Sequence, residues 1–200
     1  FFDVQSFDIA SMITVEFTPS VGCWLPSFLR ISTRVAVADE NSGSIFVFSS
    51  EMGGSPLSEI KIHSQPVRSI LSNSAYNSVI SADSKGMIEY WDADTFELPT
   101  APAVSFRFKS ETDLYDLAKS KTWAVSAAIS PNAKTFAIFS RDKQMRIFDF
   151  RTGKLRSKFD ESAKAYQSGS IPTGDLDPLE IGNRIAVENE LESLDEAMML

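Results

Sequence analysis

"SADSKGMIEYWD" occupies residues 81–92: a β-prone approach, a polar turn through Lys85 and Gly86, then an alternating strand that stops on a Trp-Asp pair. One hairpin of this kind could be a local accident. The stretch decides the fold only if it returns at a fixed distance, and it has two relatives. Upstream lies "VADENSGSIFVFSS" (37–50) and downstream "FSRDKQMRIFDFRTGK" (139–154). Each sets an alternating strand after a polar turn, at 44–48, 87–91 and 144–148, and each strand closes on an aromatic: Phe48, Trp91 and Phe148. The intervals are 43 and 57 residues, the first being the length of a repeat of four short strands and the second longer by 14.

Strands precede each turn where such a repeat needs them. "MITVEF" (12–17), "PVRSILSN" (66–73) and "AVSAAIS" (124–130) read as first strands. "RVAVADE" (34–40), "SVISADS" (78–84) and "TFAIFSR" (135–141) read as second strands. Outer strands are expected at 58–62, 104–110 and 154–159. Short strands with turns at regular spacing predict an all-β fold built of repeats.

"SADSKGMIEYWD" and "SPNAKTFAIFSRDKQMRIFDFRTGKL" resemble WD40 repeats, which implies about three four-stranded β-propeller blades, a partial propeller. The blades fall at roughly 12–62, 66–110 and 124–160, within a unit spanning 1–165. Further stretches narrow the resemblance: "ETDLYDLAKSK", "FSRDKQMRIFDFRTGKLRSKFDES" and "IGNRIAVENELESLD", in this order. They are similar to the WD-repeat half of the cyclophilin-type peptidylprolyl isomerase domain and WD repeat-containing proteins. That resemblance implies a non-catalytic protein-interaction scaffold, a fragment of a nuclear peptidylprolyl isomerase linked to spliceosomes or chromatin. On that reading this chain is not itself an enzyme, and the remaining blades and a cyclophilin domain belong to the parent chain. Two alternatives stand beside it: an isomerase activity of the whole gene product, through a cyclophilin domain outside these residues, and a stand-alone WD-repeat regulatory scaffold.

Composition agrees with an intracellular protein, and the resemblance implies that its location is the nucleus. Two hundred residues, 43% of them hydrophobic, suffice for a sizeable core. The first residue is Phe1 rather than Met, so an excised or truncated segment is expected. The single Cys23, beside Trp24, rules out an internal disulfide and reads as a packed or loop thiol. The net charge is -8, and residues 175–200 hold eight acids against Arg184 alone. The rest is nearly neutral, so direct nucleic-acid binding is not expected. No apolar run is long enough to span a membrane.

The 14 surplus residues predict an inserted helix at 111–119, capped from Ser110, with Leu114, Leu117 and Ala118 on one face. Residues 166–176 read as a loop. Residues 177–200 predict an acidic helix, with Asp177 as cap, Pro178 in the first turn, and Ile181, Ile185, Leu191 and Leu194 roughly one-sided.

Chemistry is sparse. One His and one Cys do not make a zinc site, and no G-x-S-x-G, P-loop or dinucleotide motif occurs, so no catalytic, metal or cofactor site is expected. The resemblance implies a structural role for His63, bonded to a turn Asp and a strand Ser. Asp142 has the repeat's Asp spacing, but Phe148 has no N–H to extend such a network. In the second unit Lys85 takes that spacing and Asp83 lies two residues early, so no unit is expected to hold the complete set. Phe2 and Phe7 read as core. Protein or peptide partners are expected on the rim where entry loops and the turns between second and third strands gather, at Asn41, Ser42, Ser64, Gln65, Ser84, Lys85 and above all Arg141. Arg141 stands out because its fork can hold a carboxylate or phosphate with two bonds.

Overall fold

The computed structural model describes residues 1–26, 33–50, 54–162, 165 and 177–198. Among these, three antiparallel sheets follow one another along the chain. The first holds β1 (Pro19–Leu25), β2 (Arg34–Asp39), β3 (Ile45–Ser49) and β4 (Ser58–Ile60), each bonded to the next. The second holds β5 (Val67–Asn73), β6 (Ser78–Asp83) and β7 (Ile88–Asp92). The third holds β8 (Ala124–Ile129), β9 (Thr135–Ser140), β10 (Gln144–Asp149) and β11 (Leu155–Asp160). The all-β expectation holds.

Alternation explains the layering. β2 and β9 bury every second residue, as strands with one face against a core do. β6 is buried throughout because both faces of the middle sheet are covered. Val79 and Trp91 face an apolar layer shared with Ala36, Ile45 and Val47 of the first sheet. Ile80, Ile88 and Tyr90 face a second layer shared with Phe136, Ile138 and Phe148 of the third. The first strands adjoin, β5 lying beside both β1 and β8.

Four expectations need correction. Residues 12–17 are not the first strand; Pro19–Leu25 pairs with β2 instead. The segment before it lies against the first sheet, with the Phe17 ring stacked on Phe46 at 4.4 Å and Ser11 Oγ donating to Ser50 O. Phe2 and Phe7 are not core: they are 74% and 85% exposed, because they precede the sheet in a turn closed on itself by Phe7 N donating to Asp3 O.

The outer strand expected at 104–110 is absent from the second sheet. Asp92 N donates to Glu97 O just as Asp149 N donates to Lys154 O before β11, so the hairpin begins in the same way. Pro99 and Pro102 then offer no N–H to β7. The chain leaves for the third sheet, where Ser105 N and Oγ both donate to Arg151 O.

The inserted helix is shorter than predicted. After a 3₁₀ turn at Lys109–Glu111, which contains Ser110, α1 covers only Asp116–Lys119, with Tyr115 at its N-cap. Leu114 and Leu117 are buried, as their spacing implied, and Asp113 Oδ2 accepts from Leu155 N. The acidic helix α2 (Pro178–Met198) starts where predicted, with Asp177 Oδ1 accepting from Leu179 N. Ile181 and Ile185 are half-buried, while the side chains of Leu191 and Leu194 and the loop at 166–176 lie outside the described residues.

Two turn glycines fix the spacing between sheets. A Cβ on Gly43 would lie 2.2 Å from His63 O, and one on Gly86 would lie 2.2 Å from Thr122 O. Gly86 also has φ +78°, which disfavours any side chain. Gly86→Ala is therefore expected to lower stability by more than about 1 kcal/mol, read as an earlier denaturant midpoint.

Candidate functional site

Chemistry-bearing side chains gather at the turns joining second to third strands. In the second sheet Trp91 Nε1 donates to Ser81 Oγ (3.3 Å), and Ser81 Oγ lies 2.7 Å from His63 Nε2. His63 Nδ1 lies 3.3 Å from Asp83 Oδ2. A carboxylate only accepts, so Nδ1 donates to Asp83. The other carboxylate oxygen, Asp83 Oδ1, accepts from Lys85 N and Met87 N, each at 2.9 Å. The expectation of an incomplete set is thus overturned here: Asp83, two residues early by spacing, reaches His63 because it caps its own turn while Gly86 takes the positive φ.

Serine, histidine and aspartate are connected in the sense of a nucleophilic triad. Ser81 is nevertheless fully buried and its oxygen is occupied by Trp91. No substrate carbonyl reaches it. The network pins the loop before β5 to β6 and β7.

The third sheet solves the same problem differently. Arg146, 0% exposed, spreads its guanidinium between Asp142 and Asp116: Nε donates to Asp116 Oδ2 (2.6 Å) and Nη2 to Asp142 Oδ2 (2.7 Å). Ser140 Oγ and Gln144 Oε1 complete the shell. Asp142 N donates to Thr122 Oγ1, so this cluster too grips the entry loop of its own sheet. Spacing identified Asp142 but missed Arg146. The available signal was a charge at an inward β10 position, four residues after an acid.

Burial pushes the carboxyls of Asp83, Asp142 and Asp116 up, but their hydrogen bonds outweigh it and hold all three below 3.8. For Asp83 these come from His63 and the turn N–H groups; for the other two Arg146 leads.

The expected partner-contact residues lie along one continuous rim. Asn41 and Ser42 flank Gly43, which abuts His63 and Gln65 beside Ser64. Ser84 N donates to Pro66 O, while Lys85 precedes Gly86, which abuts Thr122 and Ala118. Arg141 N donates to Trp123 O. Three of these side chains are already engaged within the fold. Ser42 Oγ donates to Asp39, Gln65 Nε2 donates to Ser64 O, and the Arg141 guanidinium stacks 4.7 Å from the Trp123 ring centroid. Cys23 is half-buried on β1, with Sγ 3.4 Å from Trp24 O. Among the described residues no group of three His, Cys, Asp or Glu side chains is placed to hold a metal.

Arg146→Met strands two carboxylates. It is expected to cost about 2 kcal/mol in a chemical denaturation, less than for a wholly buried pair because both acids still touch water. A carboxyl whose folded pKa lies below its unfolded value stabilises above the unfolded pKa, and that contribution disappears as pH falls through the folded one. Stability is therefore expected to drop on acidification below about pH 4, with a shallower drop in Asp83→Asn, measured by denaturant midpoints across pH.

No protein-family model matches the chain. Peptidyl-prolyl cis-trans isomerase CYP71 of Arabidopsis thaliana is 34% identical over 200 residues, covering 98% of this chain and 32% of its own length. Peptidyl-prolyl cis-trans isomerase cyp15 of Rhizopus delemar is 37% identical over 98% of this chain and 32% of its own. The human peptidylprolyl isomerase domain and WD repeat-containing protein 1 is 34% identical over 100% and 31%. Among solved structures, the computationally designed protein Ika8 shares 19% identity at a TM-score of 0.48, over 64% of this chain and 34% of that one. The expectation of a non-catalytic scaffold, not an enzyme, is overturned: relatives that match nearly the whole chain are named as peptidyl-prolyl isomerases, which favours the isomerase alternative over the scaffold. Over nearly its whole length the chain is similar to proteins named as peptidyl-prolyl isomerases, and it spans about a third of the length of the curated relatives it matches.

Proposed function

We propose that this protein acts in peptidyl-prolyl cis-trans isomerisation. The observation that carries the reading is similarity at 31–37% identity over 96–100% of the chain to proteins named for that activity. The chemistry suits a chain without a nucleophile motif. Rotation about an Xaa-Pro bond breaks no covalent bond, and its barrier, about 18–20 kcal/mol, falls when a site holds the twisted amide. A polypeptide substrate needs a surface on which to lie extended, and the rim carrying Asn41, Ser42, Ser64, Gln65, Ser84, Lys85 and Arg141 is our candidate for that contact.

We read the three sheets as consecutive WD-type propeller blades. Sequential strand order within each sheet, the adjacency of β5 to β1 and β8, and the matching turn-glycine contacts at Gly43 and Gly86 support this. So does the name of the human relative, which joins an isomerase domain to WD repeats.

The test is the relaxation of an Xaa-Pro peptide from cis to trans, with the full-length protein and with residues 1–200. The full-length protein is expected to accelerate it. Acceleration by residues 1–200 as well places the catalytic groups among them, and acceleration by neither overturns the proposal. With folding verified by melting, Arg141→Ala is expected to weaken peptide contact severalfold, and unchanged binding removes Arg141 from the surface.

A further inference from the structure

The third sheet carries a basic pocket on the rim opposite the one just described. In an antiparallel meander successive turns alternate between ends, so the β8–β9 and β10–β11 turns lie away from the β9–β10 turn that holds Arg141. Between them is a cavity of about 340 Å³, lined by Tyr76, Ser105, Lys134, Asp149, Arg151, Thr152 and Arg156. Its cations outnumber its anion by three to one. Asp149 is fully engaged: Oδ1 accepts from Thr152 N and Oγ1, and Oδ2 accepts from Arg156. Among the described residues Lys134 and Arg151 have no ion pair, and the Tyr76 hydroxyl has no hydrogen-bond partner.

The backbones beneath these groups are fixed. Phe150 N donates to Lys134 O, Ser105 N and Oγ donate to Arg151 O, and the Tyr76 ring stacks on Phe150 at 5.4 Å. Two cations and a phenol are thus held around one small cavity on rigid turns, in a chain whose net charge is -8. That balance repels a polyanion such as nucleic acid or an anionic membrane but leaves room for one compact oxyanion.

We propose that this pocket binds a phosphorylated side chain of a partner polypeptide, with the Arg151 fork and Lys134 holding the phosphate oxygens and the Tyr76 hydroxyl donating to a third. A phosphomonoester carries nearly two charges and three acceptor oxygens, which matches two unpaired cations and a free hydroxyl. The site is distinct from the Arg141 rim and does not rest on the isomerase reading.

The test is calorimetric titration of the full-length protein with a short phosphoserine peptide, the same peptide unphosphorylated, and inorganic phosphate. The phosphopeptide is expected to bind more tightly than its unphosphorylated counterpart, and Arg151→Ala and Lys134→Ala are each expected to weaken it about tenfold. Both pocket residues are exposed, so their melting temperatures are expected to stay near that of the parent. Equal binding of both peptides, no binding of either, or binding that survives loss of both cations overturns the proposal. Inorganic phosphate binding as tightly as the peptide overturns the polypeptide source.

Discussion

The carboxylate of Asp83 is the point on which the middle of the molecule hangs. One oxygen accepts two backbone N–H groups and shapes the β6–β7 turn, while the other meets His63 and, through Ser81, the indole of Trp91. A local turn, the preceding loop and the neighbouring strand thereby share a single acceptor. Because the group is buried, every donor it collects compensates desolvation as well as directing the chain. The third sheet reaches the same end with the opposite charge at its centre, Arg146 drawing Asp116 and Asp142 together.

Much of the strand pattern was legible because it rests on period-two alternation and turn chemistry, both local. The strands at 34–40, 78–84 and 135–141 declared themselves by apolar alternation, and Asp177 with Pro178 declared the start of α2. What escaped was set by distant partners. Residues 12–17 alternate as well as β1 does, yet only Pro19–Leu25 meets β2. Asp83 looked displaced because spacing counts residues, whereas a capped turn with a glycine at positive φ changes how far a side chain reaches. Arg146 could not be read as central without knowing that α1 brings Asp116 to it. The enzymatic association was legible only through resemblance, since no local motif carries it.

The two rims differ in character. Along one, entry loops and turns interlock through Gly43, Gly86 and the Trp123–Arg141 stack, so its side chains are partly committed to the fold. Along the other, the Lys134 and Arg151 side chains stand without an ion pair among the described residues, on hairpin turns whose main chains are held from neighbouring segments. A surface of the second kind can change its ligand without disturbing the sheets beneath it.

The prolines after β7 have a consequence for the order of assembly. Because residues 99 and 102 cannot complete the second sheet, the segment that would have closed it is bonded to Arg151, 46 positions beyond Ser105. The middle sheet therefore has no finished boundary of its own. During synthesis it waits for the last hairpin of the third sheet to emerge, and in the mature protein unzipping that hairpin exposes Val104 and Phe106 along with it. Two sheets that look like separate repeats are coupled into one cooperative unit by the lack of two amide protons.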